Sequence, residues 1–321
     1  MSKVVRIWLI VAACALVLGI VVFGGAMTML KWDFTKLSTV KYETNRHEIG
    51  DDFRGISILS DTADIVLLPT DNAKAEVECY EPKNVRHAVT VREGTLEISV
   101  QDTRKWYEYI GLNFHSPKIT VYLPKGAYGA LQIRSDTGDV EIPKEFTFES
   151  IDISEKTGDV ACFAGADKGI RIKTSTGKIH VQDVTASTLE LSVSTGHVTA
   201  TRVACTGDVS LCVSTGKAQL RDLTCQSLTS SGNTGDISLQ NVTAVQALTI
   251  ERTTGDVELE GCDAAELFIK TDTGDVEGWL RTDKVFIAKT DTGRIDVPSS
   301  ITGGRCEITT DTGDIKLRVG A

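Results

Sequence analysis

The chain has 321 residues, enough for one large core, with 34 Lys and Arg against 44 Asp and Glu. A net charge of −10 argues against a nucleic-acid partner, because a phosphate backbone calls for a basic face. Aromatic residues make up 6%, so stacking platforms for bases or sugars are thinly supplied.

Residues 1–6 form a short lead, read as cytoplasmic, that carries Lys3 and Arg6. From Ile7 to Leu30 the chain has no charge, and that run is long enough to cross a bilayer as a helix. A secretory leader has a shorter apolar core, roughly 7–15 residues. Gly24 and Ala26 do make a small-x-small pattern, so cleavage stays open beside the adopted reading of a signal anchor over 7–30. Val11-Ala12-Ala13-Cys14 resembles a lipidation box, but the sequence stays apolar beyond Cys14, which favours a buried thiol. The cationic lead places the N-terminus inside and the remaining chain outside, as a single-pass membrane protein with an extracytoplasmic C-terminal domain. Residues 31–48 read as a polar linker.

Residues 49–130 are expected to form irregular β coils that cap one end of a regular array. Ile56 to Leu67 is a strand–turn–strand unit with Ala63 at the bend. Segments 75–80, 88–92, 95–100 and 117–123 read as strands, with Glu93-Gly94 as a hairpin turn. Trp106, Tyr107 and Tyr109 cluster in the loop between the last two.

Residues 131–321 hold ten repeats. Thr-Gly recurs in register, with the glycines at Gly138, Gly158, Gly177, Gly196, Gly216, Gly235, Gly255, Gly274, Gly293 and Gly313, always 19 or 20 residues apart. Counted from each glycine, positions −7 and −5 are mostly apolar, as in Ile151 and Ile153. Positions +2 and +4 are too, as in Val257 and Leu259. Period-two alternation on both sides of a turn predicts two short half-buried strands. In the middle coils +7 and +9 are also small or apolar (Val184 and Ala186, Val203 and Cys205), which predicts a third inward wall and a second bend. No 19-residue unit buries its own inner face, so the repeats must stack. The predicted fold is all-β: a parallel β-solenoid, a right-handed single-stranded β-helix, with each strand paired to its equivalent one repeat away. Ten coils at ~4.8 Å each make a rod on the order of 45–50 Å long. The C-terminus is expected to close the tenth coil, where Lys316 and Arg318 blunt an exposed edge.

The recurring S/D-x-T-G-D-V/I unit behind a membrane segment resembles the bacterial adhesin-labelled family of Thr-Gly-Asp β-strand repeats, domain of unknown function 4097, over about residues 40–320. The resemblance implies an anchored β-helix in a bacterial envelope and offers no catalytic motif. Here Lys178, His197, Lys217 and Arg294 depart from Asp at +1, and Thr206-Gly207-Asp208 adds a turn.

Chemistry is sparse. At +1 the stack runs acidic, then basic at Lys178, His197 and Lys217, then acidic again; this notch is the candidate ligand edge. Asp272, Asp275, Asp291, Asp311 and Asp314 are weak calcium candidates beside the simpler reading of solvated turn caps. Cys205 and Cys225 share an offset in neighbouring coils, close enough for a disulfide on distance alone. The remaining Cys fall mostly at inward positions and match no zinc spacing. The five His form no spaced pair, and no Ser is recognisable beside a base. The expectation is therefore a surface binding or adhesion module with no catalysis and no cofactor. It would act on an envelope polymer or a membrane-protein partner. An envelope-stress sensor and a polysaccharide-active enzyme are the alternatives.

Overall fold

A computed structural model describes residues 3–33, 36, 40–106 and 115–320. Tyr107 and Tyr109, from the aromatic cluster, lie outside the described residues; Trp106 is exposed. One helix, α1 (Lys3–Met29), holds the apolar N-terminal run. It is long and apolar enough to cross a membrane, and all its side chains but Met27 are left largely uncovered by the rest of the chain.

Everything else is strand and turn. The N-terminal strands are β1 (Tyr42–Glu48), β2 (Gly55–Thr62), β3 (Asp64–Thr70), β4 (Glu76–Pro82), β5 (Val85–Arg92), β6 (Thr95–Asp102) and β7 (Lys118–Pro124). The repeats follow as β8 (Gly126–Thr137), β9 (Val140–Ile142), β10 (Phe146–Thr157), β11 (Val160–Cys162), β12 (Gly165–Cys205), β13 (Val209–Thr215), β14 (Ala218–Thr234), β15 (Ile237–Thr254) and β16 (Val257–Thr273). The last are β17 (Val276–Leu280), β18 (Lys284–Thr292), β19 (Ile295–Asp296), β20 (Gly304–Thr312) and β21 (Ile315–Val319).

The repeat residues stack in parallel and in register, as the period requires. Ile151 pairs with Leu131 on one side and Ile170 on the other, and Thr157 lies between Thr137 and Thr176. The pre-glycine strands form the first wall and the post-glycine strands the second, with Val257 between Ile237 and Val276. The predicted third wall is present: Val184, Val203, Leu223 and Val242 are buried. Its bend is a column of left-handed residues at +6, Asp183, Arg202, Asp222, Asn241 and Gly261, with φ between 53° and 63°. Asp and Asn tolerate that conformation better than most side chains. Cys205 and Cys225 are buried there, and both are free thiols.

The repeat glycines have two reasons to be glycine. Their φ values lie between 125° and 156°. In addition, a Cβ on any of them would stand 1.7 to 2.2 Å from the carbonyl oxygen of the turn below. Ala63 takes the bend of a first coil, and Gly138 rests on its carbonyl.

At the N-terminal end β6 extends the first wall beyond β2, and β5 closes on β6 as a hairpin through Glu93 and Gly94, both at positive φ. β7 extends the second wall, covered by antiparallel β4 and then β1. Residues 42–48, read from sequence as the end of a linker, are thus a strand; Tyr42 stacks on Tyr80 with ring centroids 4.9 Å apart.

The C-terminal end departs from the expected order. β20 pairs with β16 on one side and β18 on the other, and β21 lies between β17 and β19. The last coil in sequence is therefore inserted below the last coil in space. Gly313 rests on Gly274, and Gly293 rests on Gly313. Insertion is tight: a Cβ at Gly304 would meet the Ala265 carbonyl oxygen at 1.8 Å. Buried Lys284 pins the outermost coil by an ion pair to Asp263 at 2.7 Å. The strand carrying Lys316 and Arg318 is consequently internal, and the sheet edge belongs to β18 and β19.

Candidate functional site

The turn edge is a ladder of acceptors. At each rung the +1 carboxylate takes the N–H of the +1 residue in the next coil. Asp139 Oδ1 accepts from Asp159 at 2.8 Å, Asp159 from Lys178 at 2.8 Å, and Asp256 from Asp275 at 2.9 Å. Asp275 accepts from Asp314 at 2.7 Å, and Asp314 from Arg294 at 2.8 Å. Arg294 is the final rung, with no coil beyond it to serve. Two calcium candidates, Asp275 and Asp314, are thus occupied as main-chain acceptors, while Asp291 pairs with Lys289 at 3.2 Å. Among the described residues, Asp272, Asp275, Asp291, Asp311 and Asp314 supply no set of three ligand atoms close enough to share an ion.

Replacing Asp159 by Ala is expected to cost about 1 kcal/mol, the worth of one hydrogen bond at an exposed site. Asp159→Asn keeps the acceptor and should stay near wild type. Urea unfolding of both variants checks this; equal losses would mean that charge, and not acceptance, matters.

The candidate ligand edge is less basic than its sequence suggests. Lys217 pairs with Asp236 at 2.9 Å, and Lys178 lies 4.0 Å from Asp159. His197 Nδ1 accepts the Lys217 N–H at 3.2 Å, continuing the ladder in place of a carboxylate. The three residues are brought together as neighbouring rungs, flanked on each side by the acid that neutralises them.

A buried polar cluster in the N-terminal cap escaped the sequence reading. Glu81 Oε2 accepts the His87 main-chain N–H and contacts His87 Nδ1, both at 2.7 Å, while Oε1 accepts from Asn45 at 2.7 Å. His87 Nε2 lies 3.3 Å from Ser60 Oγ. A serine does therefore stand beside a base, contrary to expectation, but Ser60, His87 and Glu81 are at most 6% exposed. Burial alone would raise the Glu81 carboxyl; the bonds from His87 and Asn45 outweigh it and hold it below the usual carboxylate range. Cys79 shares this space, and burial pushes its thiol up to about 12. No short motif announces the cluster, because β1, β2, β4 and β5 each supply one member from distant sequence.

The second wall carries two open grooves, one on each side of Trp279. Trp279, at +5, lies outside the wall, and its ring reaches the space a Cβ would take on Gly261. On one side of the indole is a groove of about 440 Å³ lined by Asp256, Glu258, Asp275 and Glu277, none of which makes an ion pair among the described residues. On the other side is a groove of about 410 Å³ that includes Lys316 and Arg318. A strip of this wall thus passes from an acidic groove through the indole to one of mixed charge, where Glu277 stands with Lys316 and with an Arg318 that is paired to Asp296. The sequence reading missed it because Trp279 is a single departure from the repeat at a position that elsewhere holds Gln182, Thr201 or Gln240.

No curated protein matches the chain. Among solved structures, it is similar to a "putative adhesin" from Parabacteroides distasonis, at 14% identity and a TM-score of 0.48 over 87% of this chain and 98% of that one. A "putative lipid binding protein" from the same species gives 16%, 0.47, 88% and 98% for the same quantities. A further "putative adhesin", from Parabacteroides merdae, gives 11%, 0.42, 87% and 96%. Stacked parallel coils, glycine turns and the carboxylate ladder occupy the same stretch as the Toastrack model of domain of unknown function 4097, which matches residues 53–318, and the chain belongs to that family.

Proposed function

We propose that the chain is a membrane-anchored binding module of the bacterial envelope. In this reading α1 holds it in the membrane, the solenoid stands outside, and the rod takes up an extended envelope polymer without altering it. The observation that carries this reading is the Trp279 strip. An indole between an acidic groove and a groove of mixed charge offers an apolar face and two signs of charge to successive units of a chain molecule. The turn edge at Lys178, His197 and Lys217 runs along the same wall and would extend the contact. Absence of catalysis is part of the proposal. Its support is that Ser60 and His87, which have the spacing of a nucleophile and base, lie inside the cap away from any polymer on the wall.

The expected result is that the full chain in detergent retains purified envelope polymers on a column. Trp279→Ala should weaken retention by roughly 5- to 150-fold, since aromatic stacking contributes on the order of 1–3 kcal/mol. Lys178→Glu with Lys217→Glu should shift its salt dependence. If the wild type retains no polymer, the reading fails; if it retains polymer and Trp279→Ala retains it equally, the strip is the wrong surface.

A further inference from the structure

The two ends of the rod are finished differently. Antiparallel β1 and β5 close the N-terminal end, but among the described residues no strand pairs with the free side of β18 or β19. The core is open at that end. Nine residues at +2 are no more than 1% exposed, from Val140 to Ile315, whereas Ile295 in the outermost coil is 46% exposed. Ile287, on the outer face of β18, is 49% exposed, and Ile301 is 95% exposed. A terminal repeat ordinarily carries a polar outer face.

We infer that this end is an interface with a second copy of the chain, joined end to end about a two-fold axis. The edge itself narrows the occupant. Its free N–H and C=O groups are a template on which a further strand can pair. A two-fold axis sets a strand antiparallel to its own copy, and β18 is self-complementary in that arrangement. With the axis through Thr290, Lys289 of each copy stands opposite Asp291 of the other, giving two cross-strand ion pairs. By the same symmetry the exposed Ile295 of each copy faces the Val285 end of the other's β18 and is covered by it. The joint lies at the opposite end of the stack from β1, so the two α1 helices emerge at the two far ends of a doubled rod. This inference goes beyond polymer binding and does not depend on it.

The test is sedimentation equilibrium of the full chain in density-matched detergent. The wild type is expected to dimerise. Lys289→Asp and Asp291→Lys should each weaken the dimer on the order of tenfold or more, because two attractive cross-strand pairs become repulsive. Mixing the two variants restores opposite charges at both positions and should restore association. Lys289 and Asp291 are exposed, so the far-ultraviolet circular dichroism of each variant should match wild type and confirm folding. A monomeric wild type overturns the proposal. So does a dimer unaffected by either charge change, as contact through α1 would give, and so does a mixture that fails to associate. Trp279→Ala should leave the dimer intact, so loss of polymer retention and loss of association are read separately.

Discussion

Gly216→Ala is expected to destabilise the rod by about 3–6 kcal/mol, combining the strain of a side chain at positive φ with a backbone clash that cannot relax. Gly216 has φ 135°, and a Cβ there would lie 1.7 Å from the Gly196 carbonyl oxygen. The two coils are held at this separation by parallel pairing on both walls, and the Gly216 N–H bond to Thr234 ties the turn to the following coil as well. Moving one turn aside therefore disturbs two coils. Gly94→Ala is the matched control. Gly94 is also at positive φ, 74°, but has nothing within 4 Å of an added Cβ. It should cost only about 1–2 kcal/mol, the left-handed penalty alone. Urea unfolding of the two variants measures the difference; similar losses would mean that conformation, and not stacking, demands the glycine.

The second large effect is linked to pH. At position −3, which points inward, a threonine hydroxyl in three coils reaches the glycine carbonyl of the coil below. Thr174 donates to Gly158 at 3.3 Å, Thr271 to Gly255 at 3.3 Å and Thr310 to Gly274 at 3.2 Å. Glu155 occupies this position instead. It is 3% exposed, and neither carboxyl oxygen has a hydrogen-bond partner. Burial, with Asp139 and Asp64 nearby, pushes its carboxyl from 4.5 up to about 8. A folded-state value above the unfolded one means the protonated form is favoured on folding. Stability from this group is complete below about pH 4.5 and is lost as pH rises towards 8. Glu155→Gln keeps the shape and removes the titration. It should match wild type near pH 4.5 and gain about 1.4 kcal/mol per pH unit above it, reaching about 3 kcal/mol at pH 7. Parallel stability curves for the two proteins between pH 5 and 8 would show that Glu155 finds a partner when charged.

Much of this was legible from spacing alone. The glycine period placed the turns, alternation at −7, −5, +2 and +4 placed two walls, and Val184 with Ala186 announced the third. Ala63 was recognisable as the bend of a first coil because its flanks keep the apolar pattern. The exchanged coils were not legible, for a physical reason. Every repeat presents an equivalent edge, so periodicity fixes the register of a strand and not which equivalent strand it meets. Only a local mark records the exchange: Gly303-Gly304, where no Cβ fits. The +1 carboxylates were visible as a column, but their work as acceptors for the next coil needed the stacking distance. The joining of Ser60, His87, Glu81 and Asn45 depends on antiparallel pairings between strands of irregular spacing, which no repeat predicts.

The exchange of the last two coils also bears on how the molecule is made. Residues 304–319 leave the ribosome after the outermost coil, yet they fill an interior place, between the coil of Gly274 and the coil of Gly293. A chain halted after residue 303 would lack an inner layer while keeping an outer one. Lys284 would hold that outer coil to Asp263 across an empty slot lined by Ile269, Leu280 and Ala288. The rod is thus complete only when residues 304–319 arrive and enter between the coils of Gly274 and Gly293.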